Sequence, residues 1–159
     1  VPGIVGFAKA LELCIGEMPQ ETARQAAMRD RLAAELFQQL DEIELCGPAL
    51  DTLADDGRPL RLANNLDISF GNVDGEALLL AMGDVAVSSG AACSSTDPSP
   101  SHVLLALGLG EDAARSSLRF GLGRFNSESD ISRAVERTVA AVRDLRKLAV
   151  SHRTTDVYN

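Results

Sequence analysis

Ser116-Ser117-Leu118-Arg119-Phe120-Gly121-Leu122 is the stretch on which the fold turns. Leu118, Phe120 and Leu122 recur at every second position, the period of a half-buried β-strand, so residues 116–122 read as a strand. Arg119 alternates with them and falls on the other side. Two readings of it stay open at this level: a residue on a solvent face, or a guanidinium fork turned towards a carboxylate ligand. Working outward, Ser127 to Val150 is the clearest helix, with Ile131, Val135, Val139, Val142 and Leu145 along one side. Ser127 followed by Asp130 resembles a capping box at its start. Upstream, Leu62 to Phe70 reads as a strand ending Ile68-Ser69-Phe70, and Ile43 to Leu45 as a short one. Gly75 to Met82 reads as a short helix, Asp84 to Ser88 as a short strand, and Ser101 to Leu107 as a helix ended by Gly108.

The first forty residues read as two helices. Ile4, Ala8, Leu11 and Ile15 have helical spacing, and Gly16 and Pro19 mark a stop. Met28, Leu32, Leu36 and Leu40 then form the stripe of a second helix, Glu21 to Leu40. Residues 46–61, rich in Gly, Pro and Asp, read as a surface loop, and residues 151–159 as a polar tail. The expected fold is α/β (α+β): a small antiparallel or mixed sheet with helices packed on one face, in a single domain spanning residues 1–150.

Bulk properties exclude several function classes. The chain has 159 residues and a formal charge of −8, which disfavours both a nucleic-acid surface and docking on anionic lipid. No apolar run approaches the roughly 20 residues of a membrane span. Three widely spaced cysteines fit a reducing, cytoplasmic setting better than a disulfide framework. The chain opens on Val1-Pro2-Gly3 with no initiator Met, as a fragment would. With two histidines, His102 and His152, far apart and no C-x-x-C, no metal site is expected. His102 itself reads as a partly exposed residue at a helix start.

Cys93 stands in Ser88-Ser89-Gly90-Ala91-Ala92-Cys93-Ser94-Ser95, among small and polar residues. Such a thiol is expected to be exposed, and the local sequence leaves open whether it is reactive or incidental. Cys14, in an apolar helix, and Cys46, after Ile43-Glu44-Leu45, read as buried small hydrophobes.

Five segments in order resemble the C-terminal region of cysteine desulfurases of the class-V aminotransferase superfamily. They are Val1-Pro2-Gly3-Ile4-Val5-Gly6-Phe7; Asn64-Asn65-Leu66-Asp67-Ile68-Ser69-Phe70; Ser88-Ser89-Gly90-Ala91-Ala92-Cys93; Ser101-His102-Val103-Leu104-Leu105-Ala106-Leu107-Gly108; and Ser117-Leu118-Arg119-Phe120-Gly121-Leu122-Gly123-Arg124-Phe125. The resemblance runs to about Leu148. It implies the small C-terminal domain of a fold-type-I enzyme that uses pyridoxal phosphate (PLP). It implies Cys93 as the nucleophile that takes sulfur from L-cysteine as a persulfide, releasing L-alanine, and Arg119 as the residue holding the substrate α-carboxylate, with Asn64 also at the substrate. The eleven positions from Cys93 to Leu104 are similar to the long loop of the subgroup that serves iron–sulfur cluster assembly.

The same resemblance implies a homodimeric parent and a scaffold or sulfur-acceptor protein as partner. It departs from the family in one large respect. The family's Schiff-base lysine follows a His in the large domain, and neither Lys9 nor Lys147 has that context, so no covalently bound cofactor is expected on this chain. Ala63 also replaces a frequent Pro. Other readings are a non-catalytic interaction or sulfur-accepting module, and a piece of a selenocysteine lyase or aminotransferase.

Overall fold

The computed structural model describes residues 1–89 and 99–155, with the backbone alone for 151–155. Helix α1 runs Pro2–Gln39, followed by strands β1 Ile43–Leu45 and β2 Asn65–Phe70, helix α2 Gly75–Ala81 and strand β3 Ser88–Ser89. Helices α3 His102–Ala106 and α4 Glu111–Arg115, strand β4 Ser117–Gly121 and helix α5 Glu128–Thr155 complete the described chain. The four strands form one antiparallel sheet in the order β1-β2-β4-β3.

The alternation read from the sequence sorts the sheet into two faces. Leu66, Ile68 and Phe70 of β2 and Leu118 and Phe120 of β4 are buried together against Met28, Leu32 and Leu36 of α1, Leu78 of α2, and Ile131, Val135, Val139 and Val142 of α5. That single core explains why α1, α2 and α5 share one face of the sheet. The other face is covered in part by α3 and α4, through a satellite cluster of Cys46, Leu104 and Ala114. Sequence periodicity is silent on α4, because five residues are too few to show a helical repeat.

Three expectations are corrected. Gly16 and Pro19 do not end a helix: α1 is continuous over 38 residues with Pro19 inside it. A proline removes one backbone hydrogen bond and crowds the preceding turn, but the second half of α1 is anchored by buried Met28, Leu32, Ala33 and Leu36, and the first half is solvent-exposed and free to accommodate the ring. The strand expected over Asp84 to Ser88 shrinks to Ser88–Ser89. Gly83, with φ of 61°, turns the chain after α2, and Val85 and Val87 pack on the core without pairing in the sheet. Cys14 is exposed, because no described residue covers its side of the first half of α1.

Caps and arginines fix the connections. Asp74 accepts the Ala77 N–H at 2.8 Å and starts α2. The Ser127–Asp130 box is real: Asp130 Oδ2 accepts the Ser127 N–H at 2.8 Å, and Ser127 Oγ accepts the Asp130 N–H at 3.4 Å. The Ser127 N–H and hydroxyl, both donating to Oδ2, hold the Asp130 carboxyl below its usual range. Arg29, 5% exposed, donates to the Leu62 and Leu50 carbonyls and ties the long 46–64 connection to α1.

Gly75 has the tightest surroundings of the described glycines: a Cβ there would lie 1.9 Å from the Arg115 carbonyl oxygen. Gly75→Ala therefore forces α2 away from the α4–β4 junction. The expected loss of stability is at least about 1–3 kcal/mol, read from urea unfolding of the two proteins side by side.

Candidate functional site

The face of the sheet turned away from the core carries the chemistry. β2 and β4 place Asp67 and Arg119 directly opposite one another, and β3 places Ser88 opposite Arg119 on its other side. Directly paired residues on one face stand close enough to interact. Asp67 and Arg119 line a cavity of about 240 Å³, together with Cys46, Arg61 and Asn65. Val103, Leu104 and Leu107 around α3 supply an apolar wall. A larger cavity, about 730 Å³, opens near the other end of β2 and is lined by Glu42, Glu44, Asp74 and Asp112 among others. None of the residues singled out for chemistry lies in it.

Arg119 is exposed and, among the described residues, makes no hydrogen bond or ion pair. Its guanidinium is therefore available to a ligand. Asp67 is half-buried, and its Oδ1 is covered with no hydrogen-bond partner among the described residues. Burial raises the Asp67 pKa, and the Cys46 thiol and the Arg119 charge only partly oppose that. Cys46 is pushed up to about 12, first by burial and then by the Asp67 charge, so it is a poor nucleophile. Arg61 is held by backbone carbonyls instead: it donates to the Cys46 oxygen at 2.6 Å and to the Pro48 oxygen at 2.6 Å.

The structure separates the residues expected at the site. Arg119 lines the cavity. Asn64 stands just before β2, where its Nδ2 donates to the Leu122 carbonyl at 3.2 Å; its neighbour Asn65, and not Asn64, lines the cavity. Cys93 lies outside the described residues. The chain on either side of it does touch the site: Ser89 pairs with Leu118, and Ser101 caps α3 by accepting the Leu104 N–H at 3.4 Å. Sequence reasoning missed Asp67 and Arg61 as site residues. Asp67 carried a signal, since it alternates with buried Leu66 and Ile68 as Arg119 does with Leu118 and Phe120. Arg61 carried none.

A family model for class-V aminotransferases matches residues 1–134 of this chain. The chain belongs to the class-V aminotransferase family. Within it, the chain is 47% identical over 149 residues to the cysteine desulfurase IscS of Anaeromyxobacter sp. (strain Fw109-5), covering 94% of this chain and 35% of that protein. It is 43% identical over 146 residues to the cysteine desulfurase IscS of Pasteurella multocida (strain Pm70), covering 92% and 34%. The fold superposes on a NifS-like protein from Rickettsia africae with a TM-score of 0.69 and 25% identity, covering 87% of this chain and 33% of that one. The chain thus spans about a third of the length of the curated relatives it matches. The α/β fold expected from the sequence is shared with that NifS-like protein.

Two measurements check the site. Asp67 ionises at higher pH in the fold than in the unfolded chain, so the stability associated with it is complete below the unfolded pKa. That stability is lost as pH rises through the folded one. Asp67→Asn is expected to raise the unfolding midpoint at pH 8, with the gain disappearing below about pH 4, the unperturbed aspartate range, in paired thermal melts. In native-state alkylation at pH 8, exposed Cys14 is expected to be labelled and Cys46 to resist until the protein is unfolded, as peptide mapping of the labelled chain will show.

Proposed function

We propose that residues 1–150 are the C-terminal, smaller domain of a PLP-dependent cysteine desulfurase, with 151–159 as its tail. In this reading Cys93 carries the sulfur and Arg119 holds the substrate carboxylate. The observation that carries it is Arg119: an exposed guanidinium without a protein partner among the described residues, on the strand paired with the β3 end that leads to Cys93. A planar guanidinium binds a carboxylate through two parallel charge-assisted hydrogen bonds, which fixes the orientation of an amino acid as well as its position. Identity of 47% to a cysteine desulfurase over nearly the whole chain supports the same assignment.

The chemistry asked of this chain is sulfur transfer. The Cys93 thiolate attacks the sulfur of L-cysteine, an S–S bond forms, and the bond between Cβ and sulfur breaks. The electron pair of the broken bond stays with the substrate carbon, which is protonated, and L-alanine leaves while Cys93 keeps a persulfide. PLP, when bound, supplies the electron sink that makes such bond breaking accessible. The residues described here do not fit its covalent attachment. Lys9 pairs with Glu12 at 2.8 Å on exposed α1, Lys147 pairs with Asp144 at 3.1 Å on exposed α5, and neither lines the Arg119 cavity. The lysine, the rest of the cofactor site and the dimer contacts belong, in this reading, to the remainder of a longer protein.

The segment from Cys93 to α3 then serves delivery, carrying sulfur from the enclosed cofactor site to a scaffold or acceptor protein for iron–sulfur cluster assembly. Among the described residues no helix is long and apolar enough to cross a membrane. The three cysteines work as thiols in a reducing cytoplasm.

In the full-length protein loaded with PLP, Cys93→Ala is expected to abolish alanine release from L-cysteine and persulfide labelling, and Arg119→Ala to lower kcat/KM by about 1.5–3 kcal/mol, roughly ten- to 150-fold. An undiminished rate in Cys93→Ala would sink the mechanism. Activity on selenocysteine with none on cysteine would move the protein to the selenocysteine lyases. The 159-residue chain alone, given PLP and L-cysteine, is expected to release no alanine.

A further inference from the structure

A guanidinium that serves as a carboxylate site usually gains from a neutral or positive surrounding, yet this one has a carboxyl directly across the strand pair. Asp67 and Arg119 are Cα partners in the β2–β4 register and share one cavity. They do not form an ion pair, and Asp67 Oδ1 is covered without a hydrogen bond among the described residues. A structural salt bridge would occupy both groups, and here Arg119 has no partner among the described residues and Asp67 Oδ1 has none either. What remains is a field: a negative charge at Asp67 weakens the pull of Arg119 on any anion, and a neutral Asp67 restores it.

We infer that Asp67 is a positioning residue that limits how strongly Arg119 attracts a substrate carboxylate, which rests on the reading of Arg119 given above. Among the described residues, the groups facing Asp67 are few. Cys46 after β1, Arg61 from the long connection, and Arg119 and Ser117 of β4 surround it, with Glu44 acting on Cys46 from β1. α3 contributes the apolar Val103, Leu104 and Leu107. Arg61 is committed to backbone carbonyls, so among the described residues the balance of charge around a bound carboxylate rests on Asp67 and Arg119. Burial already favours the neutral form of Asp67, so an arriving carboxylate strengthens that preference, and binding takes up a proton. Carboxylate ligands therefore bind more weakly as pH rises.

The test is made on the full-length PLP enzyme with two readouts, the KM for L-cysteine and competitive inhibition by 3-mercaptopropionate, an amine-free carboxylate. Asp67→Asn is expected to lower KM and the inhibition constant roughly three- to tenfold at pH 8, to leave kcat within about twofold, as expected for uniform binding, and to flatten the pH dependence of inhibition. Asp67→Glu keeps that pH dependence. In an Arg119→Gln background, where the carboxylate is no longer drawn in beside Asp67, Asp67→Asn is expected to change both constants less than in the unaltered enzyme. A raised KM in Asp67→Asn, or an inhibition constant in the unaltered enzyme that does not climb with pH, overturns the inference while leaving the Arg119 reading in place. An unchanged KM in Arg119→Gln alone removes the Arg119 reading and this inference with it.

Discussion

The antiparallel pairing of β2 with β4 is the constraint on which the molecule depends. Its register sets Leu66 opposite Phe120 and Ile68 opposite Leu118, so the buried side chains of both strands meet on one face. The same register sets Asp67 opposite Arg119 on the other face. A slip by one residue would turn both sets over, burying a guanidinium in the core and exposing leucine, isoleucine and phenylalanine. Core and site are thus two sides of one decision. The helices α1 and α5 enforce it, because their apolar stripes can be buried only against the face that Leu66, Ile68, Phe70, Leu118 and Phe120 present.

Arginine does a second job that regular pairing cannot do here. The connections between elements carry carbonyls that no helix or strand partner takes up, and these need donors. Arg24 reaches the carbonyls of Gly123, Arg124 and Asn126, Arg29 those of Leu50 and Leu62, and Arg61 those of Cys46 and Pro48. Arg146 gathers the carbonyls of Asp41, Glu42 and Gly71. Each of these guanidiniums is a structural clamp. Arg119 lies in a strand whose own backbone groups are paired, and among the described residues it clamps nothing. That contrast, more than its charge, separates it from the other arginines as a group left for a ligand.

The legible parts of the sequence were those where one periodicity covers a whole element. The stripe Ile131, Val135, Val139, Val142 and the alternation Leu118, Phe120, Leu122 each describe burial as found. The continuity of α1 was not legible, because a proline signals a local loss of one hydrogen bond while the helix is held by packing farther along. Cys14 was misplaced for a related reason: an apolar pattern says that a face could be buried, and burial also needs a partner. The pairing of Asp67 with Arg119 was beyond reach from one sequence, since each residue shows its face but not the register between strands fifty residues apart. The five-residue α4 left no periodic trace. The family was legible from short motifs in order, each weak alone.

The first half of α1 bears on the proposed assignment independently of the site. Ile4, Phe7, Leu11, Ile15 and Met18 recur at helical spacing and are all at least half exposed. A row of large apolar side chains along one helix face is what a helix presents to a partner, and scattered surface leucines do not produce it. Arg24 and the pair between Arg124 and Glu17 fasten the Gly123–Asn126 turn to the same helix, and that turn presents Phe125, 93% exposed. Under the desulfurase reading, the cofactor and its lysine come from elsewhere in a longer protein, and that part of the protein needs a surface on which to seat. The stripe and Phe125 offer one, on a helix whose far end is buried against the sheet that holds Arg119. Any element seated on the exposed end would thereby be linked, through one continuous helix, to the sheet that carries Arg119.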